Sequence, residues 1–401
     1  MSLDVAVNLL WCVPGRVGGS EEYLVRQLTG LVELDSEAAV TLCCTTAFAR
    51  AHPALTERFE VRSAGSLAGH RLSRIMAEHT WLARRTAGFD VVHHGGGTAP
   101  LVGPRPILLT VHDLQYLEHP QHFSRARLTY LRTMMPRAVR RASMVATPSE
   151  FVRGTVIDAF GIDERRVTVV PHGVRSAPIG QSVRSAPIGQ SVRSAPIGQS
   201  LRSASVVADA GSIRRRYGLG EGPYVVYPAM THPHKNHQLL LDVMARHWTD
   251  PALRLVLLGG AGALDDEIGL AISTAGLTGR VVRPGRIPDT DRDAVVANAT
   301  ALVFPSRYEG FGAPLIEAMA LGTPVVCGDH PALREVAGPA AIVLPDAVDA
   351  WSGALEEVDR RRAELVAAGR DRVAHYTLAA SGRALLDAYR RTVDVYARSL
   401  D

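Results

Sequence analysis

Short apolar runs that alternate with helical patterns constrain the fold of this chain more than any other feature. Apolar runs of about four to eight residues are typical of buried strands, and their alternation with helices indicates βαβ units and parallel sheets. The first half contains six runs, at residues 5–10, 39–44, 90–93, 107–111, 144–147 and 167–170. The second half contains six more, at residues 224–227, 254–258, 281–283, 301–304, 324–327 and 341–343. The pattern predicts an α/β protein with two doubly wound parallel sheets.

The length of 401 residues also favours two domains, because it is long for a single core. We expect an N-terminal domain over residues 1–173, a linker over 174–220, a second domain over 221–377 and a final helix over 378–401. Ligands of doubly wound folds lie beyond the carboxyl ends of the strands, so two facing domains would share one cleft.

The predicted linker contains a nine-residue repeat, Val-Arg-Ser-Ala-Pro-Ile-Gly-Gln-Ser, which starts at Val174, Val183 and Val192. Three short copies with Pro and Gly cannot bury a core of their own, so a β-solenoid is disfavoured. We interpret the repeat as a tandem duplication that lengthened a flexible or disordered linker.

Composition indicates an ordinary soluble globular protein, with 46% hydrophobic and 21% charged residues. No signal peptide and no membrane-spanning apolar run are recognisable, and the four cysteines lack metal or disulfide spacing. We therefore expect a cytoplasmic protein. The net charge of +4 is modest, and no nucleic-acid partner is expected. Lys235 is the only lysine among 44 basic residues, and a compact ammonium differs from arginine at a phosphate contact.

The run Ser-Arg-Tyr-Glu-Gly-Phe-Gly-Ala-Pro-Leu-Ile-Glu at residues 306–317 carries the strongest functional signal. It places Glu309 and Glu317 on either side of a glycine-rich turn, after a buried strand at residues 301–305. A helix should begin at Pro314, because proline is preorganised for the first helical position.

The start of this helix is predicted to bind an anion. Ala313 has no side-chain oxygen for capping, so the N–H groups of Leu315 and Ile316 are expected to be free after Gly310 and Gly312. Free N–H groups and the helix dipole favour a phosphate, and the flanking glutamates can accept hydrogen bonds from hydroxyls. This combination suggests a sugar nucleotide, whereas a lone pair of glutamates at this spacing would be an ordinary solvated turn.

The flanking residues carry a family resemblance. Phe-Pro-Ser precedes the glutamates, Gly-Phe-Gly-x-Pro lies between them, and Glu-Ala-Met-Ala-x-Gly-x-Pro-Val-Val follows. The segment resembles the Glu-x7-Glu signature of the retaining glycosyltransferases of family four. The resemblance implies the GT-B fold, with two Rossmann-like domains facing across a cleft and a last helix that crosses back to the first domain. It also implies that Glu309 binds the sugar hydroxyls and Glu317 the ribose hydroxyls.

Two positions in the first half fit the same resemblance. Gly18 and Gly19 follow the first strand, with Ser20 as a plausible N-cap, and the family places this loop against the donor diphosphate and the acceptor. His112 ends another buried strand and is expected to project into the cleft, where the family has a histidine on the transferred sugar. The alternatives are a plain tight turn and a core histidine.

The loop at residues 230–237 resembles the family's diphosphate-binding loop, with Lys235 as one cation. Many members have an arginine where this chain has Met230, so His234 or Arg286 is a candidate for the second cation. The three histidines of the loop could also be read as a metal cluster, but they are compositional hints only, and no metal is expected.

Two arginine-rich amphipathic stretches lie in the first domain, at residues 71–85 and 125–141. Basic faces with apolar neighbours can lie on anionic membranes, and they can equally be solvated helix faces. The sequence leaves both possibilities open.

The predicted activity is retaining transfer of a sugar, with mannose as the first choice, from a nucleotide diphosphate sugar to an acceptor hydroxyl on a glycan or lipid-linked acceptor. GDP-mannose is the first donor candidate, a UDP-sugar competes with it, and no cofactor is expected. His112, Lys235 and Glu309 are the catalytic candidates. The donor-binding candidates are Gly18, Gly19, Lys235, Arg286, Gly310, Phe311, Gly312, Leu315 and Glu317. A sugar-nucleotide epimerase and a non-catalytic nucleotide-sugar-binding subunit remain as alternatives.

Overall fold

The computed structural model describes residues 3–15, 17–65, 71–175 and 210–400, with only the backbone described at residues 71, 72 and 210. Seven strands form the first sheet: β1 (Asp4–Asn8), β2 (Ala39–Cys44), β3 (Glu60–Ser63), β4 (Val91–His94), β5 (Ile107–Thr110), β6 (Met144–Thr147) and β7 (Val167–Val169). They are parallel, in the order β3-β2-β1-β4-β5-β6-β7.

Six strands form the second sheet: β8 (Tyr224–Pro228), β9 (Arg254–Leu258), β10 (Val281–Gly285), β11 (Ala301–Phe304), β12 (Val325–Gly328) and β13 (Ala341–Leu344). They are also parallel, in the order β10-β9-β8-β11-β12-β13. In both sheets the order reverses beside the first strand, which is the doubly wound arrangement that creates a ligand-binding crevice.

Helices connect the strands. Those of the first half are α1 (Gly19–Glu33), α2 (Thr46–Ala51), α3 (Pro53–Thr56), α4 (Arg71–Ala77), α5 (Ala83–Arg85), α6 (Gln115–Glu118), α7 (Arg125–Arg141) and α8 (Glu150–Phe160), and a π-helical turn (Glu78–Leu82) joins α4 to α5. Those of the second half are α9 (Ala210–Tyr217), α10 (His237–Arg246), α11 (Asp265–Thr274), α12 (Asp289–Ala297), α13 (Ala313–Ala320), α14 (Pro331–Ala337), α15 (Ala354–Val373) and α16 (Leu378–Arg398).

The twelve predicted strands all coincide with observed strands to within one or two residues. The sequence reading missed β3, whose residues Glu-Val-Arg-Ser are all at least partly exposed. A short, partly polar edge strand lacks the apolar run on which the prediction depended.

All but the first two residues of the predicted repeat lie outside the described residues. The first of these, Val174, is buried, and its N–H donates to Tyr376 O over 2.7 Å. Residues 210–217, which the sequence reading assigned to a flexible linker, instead form α9. Its Ile213 is buried in the second core, so this segment packs because it carries an apolar anchor.

The last helix, α16, packs across α1 of the first half. An added Cβ at Gly382 would lie 2.4 Å from the carbonyl carbon of Gly30, so only two glycines allow the helices to approach this closely. Tyr389 is fully buried, and its hydroxyl lies 3.0 Å from His93 Nδ1 in the first sheet. The helix therefore packs against the first half.

Candidate functional site

The two halves meet at loops that follow the carboxyl ends of their strands. The Ser149 hydroxyl, after β6, donates to Gly310 O, after β11, over 2.6 Å. The Leu114 N–H, after β5, donates to the Tyr308 hydroxyl over 3.1 Å. An added Cβ at Gly310 would lie 2.2 Å from His112 O, so the backbones are in direct contact. Gly310 and His112, one candidate from each half, are therefore brought into contact.

The helix between the two glutamates begins one residue earlier than predicted, at Ala313, with Gly312 as the N-cap. Gly312 has φ 90°, in the left-handed region, and an added Cβ would lie 2.5 Å from Leu333 Cδ2, so glycine is required on both grounds. No side chain caps the helix, as expected.

The prediction that the Leu315 N–H is free was wrong, because this group donates to Gly312 O over 3.0 Å in a tight first turn. Leu315 itself is fully buried, so its side chain faces the core. What remains of the predicted anion position is the uncapped helix start with its dipole, directly after the glycine turn.

Lys235 and Glu309, both predicted for the site, form an ion pair with 2.5 Å between Nζ and Oε1. Their side chains are only 19% and 12% exposed. The backbone on either side of Lys235 is held firmly, since Tyr227 donates to Lys235 O over 2.7 Å and the next residue, Asn236, has the left-handed φ 55° and bonds Asp346. The lysine and the glutamate therefore neutralise each other's charge.

Glu317 pairs with Arg26, a residue that the sequence reading missed. Arg26 lies in α1, and its Nη2 is 2.6 Å from Glu317 Oε1 across the cleft. The same nitrogen also bonds Glu22, one helical turn earlier. The only sequence signal was the spacing of Glu22 and Arg26 at i and i+4, which is common on solvated helices.

Burial raises the pKa of the Glu22 carboxyl, and the charge of Glu317 raises it further, while Arg26 and Arg292 act in the opposite direction. The pKa of Arg292, in α12, is raised in turn by the charges of Glu317, Asp293 and Glu22 against the effect of its own burial. Two carboxylates and two guanidinium groups therefore form one charge network around Glu317.

His112 is partly buried at the contact between the halves. Its Nε2–H donates to Gly95 O over 2.8 Å, which leaves Nδ1 as the acceptor nitrogen of the neutral ring. The ring packs against Trp11 and Tyr23, with centroid separations of 6.0 and 5.2 Å. Burial lowers the pKa of His112, so the imidazole is neutral at physiological pH.

Gly18, and not Ser20 as predicted, is the N-cap of α1, because the helix already begins at Gly19. Gly18 has φ 72°, and among the described residues no atom lies within 4 Å of an added Cβ at either glycine. This helix start also has no side-chain cap from the described residues.

The remaining candidates lie apart from the ion pairs. Arg286 is exposed, and its Nη1 donates to Gly15 O over 3.2 Å, in the loop before α1. Phe311 is 4% exposed and stacks on His172 at 4.7 Å, so its side chain packs at the junction of the two halves. The structure brings neither side chain to Lys235.

The matches to known families decide the assignment of the chain. Residues 17–177 match the family described as "Glycosyltransferase Family 4", and residues 210–370 match "Glycosyl transferases group 1". The chain belongs to glycosyltransferase family 4. The family match to the first half ends inside the repeat, and the match to the second half begins at α9.

Among the curated relatives, O-antigen chain mannosyltransferase B of Escherichia coli is 27% identical over 266 residues, which are 66% of this chain and 64% of that protein. O-antigen chain mannosyltransferase RfbU of Salmonella typhimurium is 25% identical over 270 residues, which are 67% of this chain and 64% of that protein. The chain thus aligns with less than two thirds of the length of either relative.

A solved structure confirms the predicted GT-B fold. HepE of Anabaena, crystallised in complex with UDP and glucose, superposes with a TM-score of 0.72 at 19% identity, over 96% of this chain and 98% of that one. Within the described ranges, none of the helices combines the length and apolar character needed to cross a bilayer.

The histidines near Lys235 form a row across the cleft. His119 and His122, after α6, stack at 5.2 Å, and His122 faces His234 at 6.3 Å between ring centroids. His234 stacks on His232 at 5.9 Å. In the part of the chain that the structure describes, no three or more His, Cys, Asp or Glu side chains gather as a metal site.

Proposed function

We propose that this family 4 protein is a retaining glycosyltransferase, which moves a sugar from a nucleotide diphosphate sugar to an acceptor hydroxyl. One observation carries the proposal. The uncapped start of α13 lies in the interdomain cleft between Glu309 and Glu317, and Lys235 contacts the first of these glutamates. A helix start with an adjacent ammonium suits a diphosphate, and the carboxylates suit the hydroxyls on either side of it.

Each residue takes a role that its contacts allow. Lys235 and the start of α13 stabilise the negative charge that develops on the departing diphosphate. Lys235 and Glu309 form an ion pair, and the donor offers a phosphate to the ammonium and sugar hydroxyls to the carboxylate. Glu317 accepts from the ribose hydroxyls.

His112 orients the transferred sugar without exchanging a proton. Its Nε2–H is occupied by Gly95 O, and burial keeps the ring neutral, so Nδ1 acts as a hydrogen-bond acceptor. The bond from the anomeric carbon to the phosphate oxygen breaks as the acceptor oxygen attacks from the same face. The acceptor proton then passes to the leaving phosphate.

Mannose from GDP-mannose is the first proposal for the donor, supported by the two O-antigen mannosyltransferase relatives. A UDP-sugar is the competitor, because HepE was solved with UDP and glucose. The same relatives support a glycan or lipid-linked acceptor in cell-envelope polysaccharide synthesis.

A membrane contact through the first half is part of this proposal. Met76, Leu101 and Val102 are 63%, 48% and 64% exposed. The Leu101 N–H donates to His79 Nε2 over 3.4 Å, which places these apolar residues beside the segment that carries the exposed Arg84. Apolar side chains beside arginine suit the inner, anionic face of a membrane. Binding to vesicles with and without anionic lipid measures this contact, and equal binding to both would contradict it.

A thermal-shift screen of nucleotide sugars tests the proposed activity, because a bound donor raises the unfolding midpoint by mass action. GDP-mannose should give the largest shift, and Glu317→Gln should reduce it. The best donor is then incubated with and without an acceptor. Nucleotide diphosphate release identifies a transferase, a released altered sugar nucleotide identifies an epimerase, and binding without turnover identifies a non-catalytic subunit.

A further inference from the structure

Arg26 is the only described residue of the first half with an ion pair to a glutamate of the Glu-x7-Glu motif. It lies two turns into α1, with its side chain 15% exposed, and its Nη2 contacts Glu317 Oε1 at 2.6 Å. Its Nη1 also lies 3.4 Å from Gly173 O, at the end of the first half. Arg26 therefore joins three parts of the molecule, which are α1, α13 and the end of the first half.

The charges around Arg26 explain why an arginine is needed. Glu22 and Glu317 face each other closely enough that the charge of Glu317 raises the pKa of Glu22. A planar guanidinium with several donors can bind both carboxylates at once, which a point charge does less well. Arg292, on the opposite side, is attracted to the same two glutamates.

We propose that Arg26 is a positioning residue, which holds the Glu317 carboxylate in place from the opposite domain and so makes nucleotide binding selective for ribose hydroxyls. The inference rests on the proposed function, in which Glu317 accepts from those hydroxyls. Arg26 occupies one carboxylate oxygen, Oε1, and leaves Oε2 for the nucleotide. The Glu317 side chain is 19% exposed with Arg26 in place, and without Arg26 it would lie beside Glu22 with one cation fewer, free to change rotamer.

The test compares ribonucleotides with 2′-deoxyribonucleotides. Dissociation constants of GDP and 2′-deoxy-GDP, and of UDP and 2′-deoxy-UDP, are measured by calorimetry for the wild type, Arg26→Gln, Arg26→Lys and Glu317→Gln. A hydrogen bond to a charged group discriminates by about tenfold to a hundredfold, so the wild type should prefer the ribonucleotide by that factor. Arg26→Gln should lose most of this preference, as Glu317→Gln does. Arg26→Lys should restore part of it.

Glu335→Gln is the matched control. The Glu335 carboxylate also bridges the halves, since it accepts from the N–H groups of Glu150 and Phe151 at 2.8 and 2.9 Å, but within the described part of the chain it forms neither a hydrogen bond nor an ion pair with Glu317. This variant should weaken both nucleotides equally and keep their ratio.

The outcomes separate the inference from the proposed function. If the wild type discriminates and Arg26→Gln keeps the same ratio while weakening both nucleotides, Arg26 is only a structural bridge and the inference is overturned. If Arg26→Gln unfolds, Arg26→Lys takes its place in the comparison. If Arg26→Lys prefers the ribonucleotide over the 2′-deoxyribonucleotide by the same factor as the wild type, the guanidinium group is not needed and the inference is overturned. If the wild type binds neither GDP nor UDP, the proposed function fails and this inference fails with it.

Discussion

Replacing Gly310 with alanine should prevent closure of the cleft while both domains stay folded. The added Cβ would lie 2.2 Å from His112 O, whereas ordinary van der Waals contact begins at 3.4 Å, so the loops must separate by about 1.2 Å. The hydrogen bond from Ser149 to Gly310 O stretches with them. A misplacement of about 1 Å costs roughly a hundredfold in rate, so kcat/KM for transfer should fall by about that factor.

The assay measures both the catalytic activity and the overall dimensions of the protein. Donor turnover is measured together with the radius of gyration from small-angle scattering, and Gly310→Ala should stay more open with donor than the wild type. Gly154→Ala is the control, because an added Cβ there would lie within 4 Å of no atom in the described ranges. Wild-type kcat/KM in Gly310→Ala, with the control also unchanged, would refute the idea that this contact closes the site.

Three further predictions follow from the same contacts. Lys235→Ala should lower kcat/KM by about 10²–10³-fold in turnover assays, with little change in the unfolding midpoint, because a charge donor to the leaving group is lost. Gly382→Ala should destabilise the packing on Gly30 by about 1–3 kcal/mol, measured by denaturant unfolding, and an unchanged midpoint would contradict the observed approach of α16 to α1. Acid should open the cleft. Burial and the charge of Lys235 lower the pKa of His234 from 6.5 to about 3. Burial and the charge of His119 also lower the pKa of His122, whose ring faces His234. Well above pH 6.5 both imidazole rings are neutral, whether the cleft is closed or open. At lower pH the open state binds more protons than the closed state, so acid favours the open state. The radius of gyration should therefore rise as the pH falls, and His234→Gln should reduce this rise.

Local patterns in the sequence were enough to predict the parallel architecture. A strand such as β11, with four buried residues in a row, is recognisable without its neighbours, whereas the partly polar β3 is defined by pairing with β2. Lys235 and Glu309 were each predicted as site residues from a local motif, although nothing in the sequence indicated that the two side chains form an ion pair.

Contacts between residues far apart in the chain could not be predicted from the sequence. Arg26 and Glu317 are 291 positions apart, and an arginine on a surface-like helix carries no signal for a partner in another domain. The error at Leu315 has a different cause, since hydrogen bonding in the first turn of a helix depends on the local backbone angles of Gly312. The donor and acceptor depend on side chains of several loops together, so no single motif identifies them.

A crystal structure of the protein with the nucleotide diphosphate of its best donor tests the central proposal most directly. We expect the diphosphate at the start of α13 beside Lys235, with the ribose hydroxyls on Glu317. A nucleotide bound elsewhere, with Lys235 still paired to Glu309 and Glu317 still paired to Arg26 alone, would contradict it.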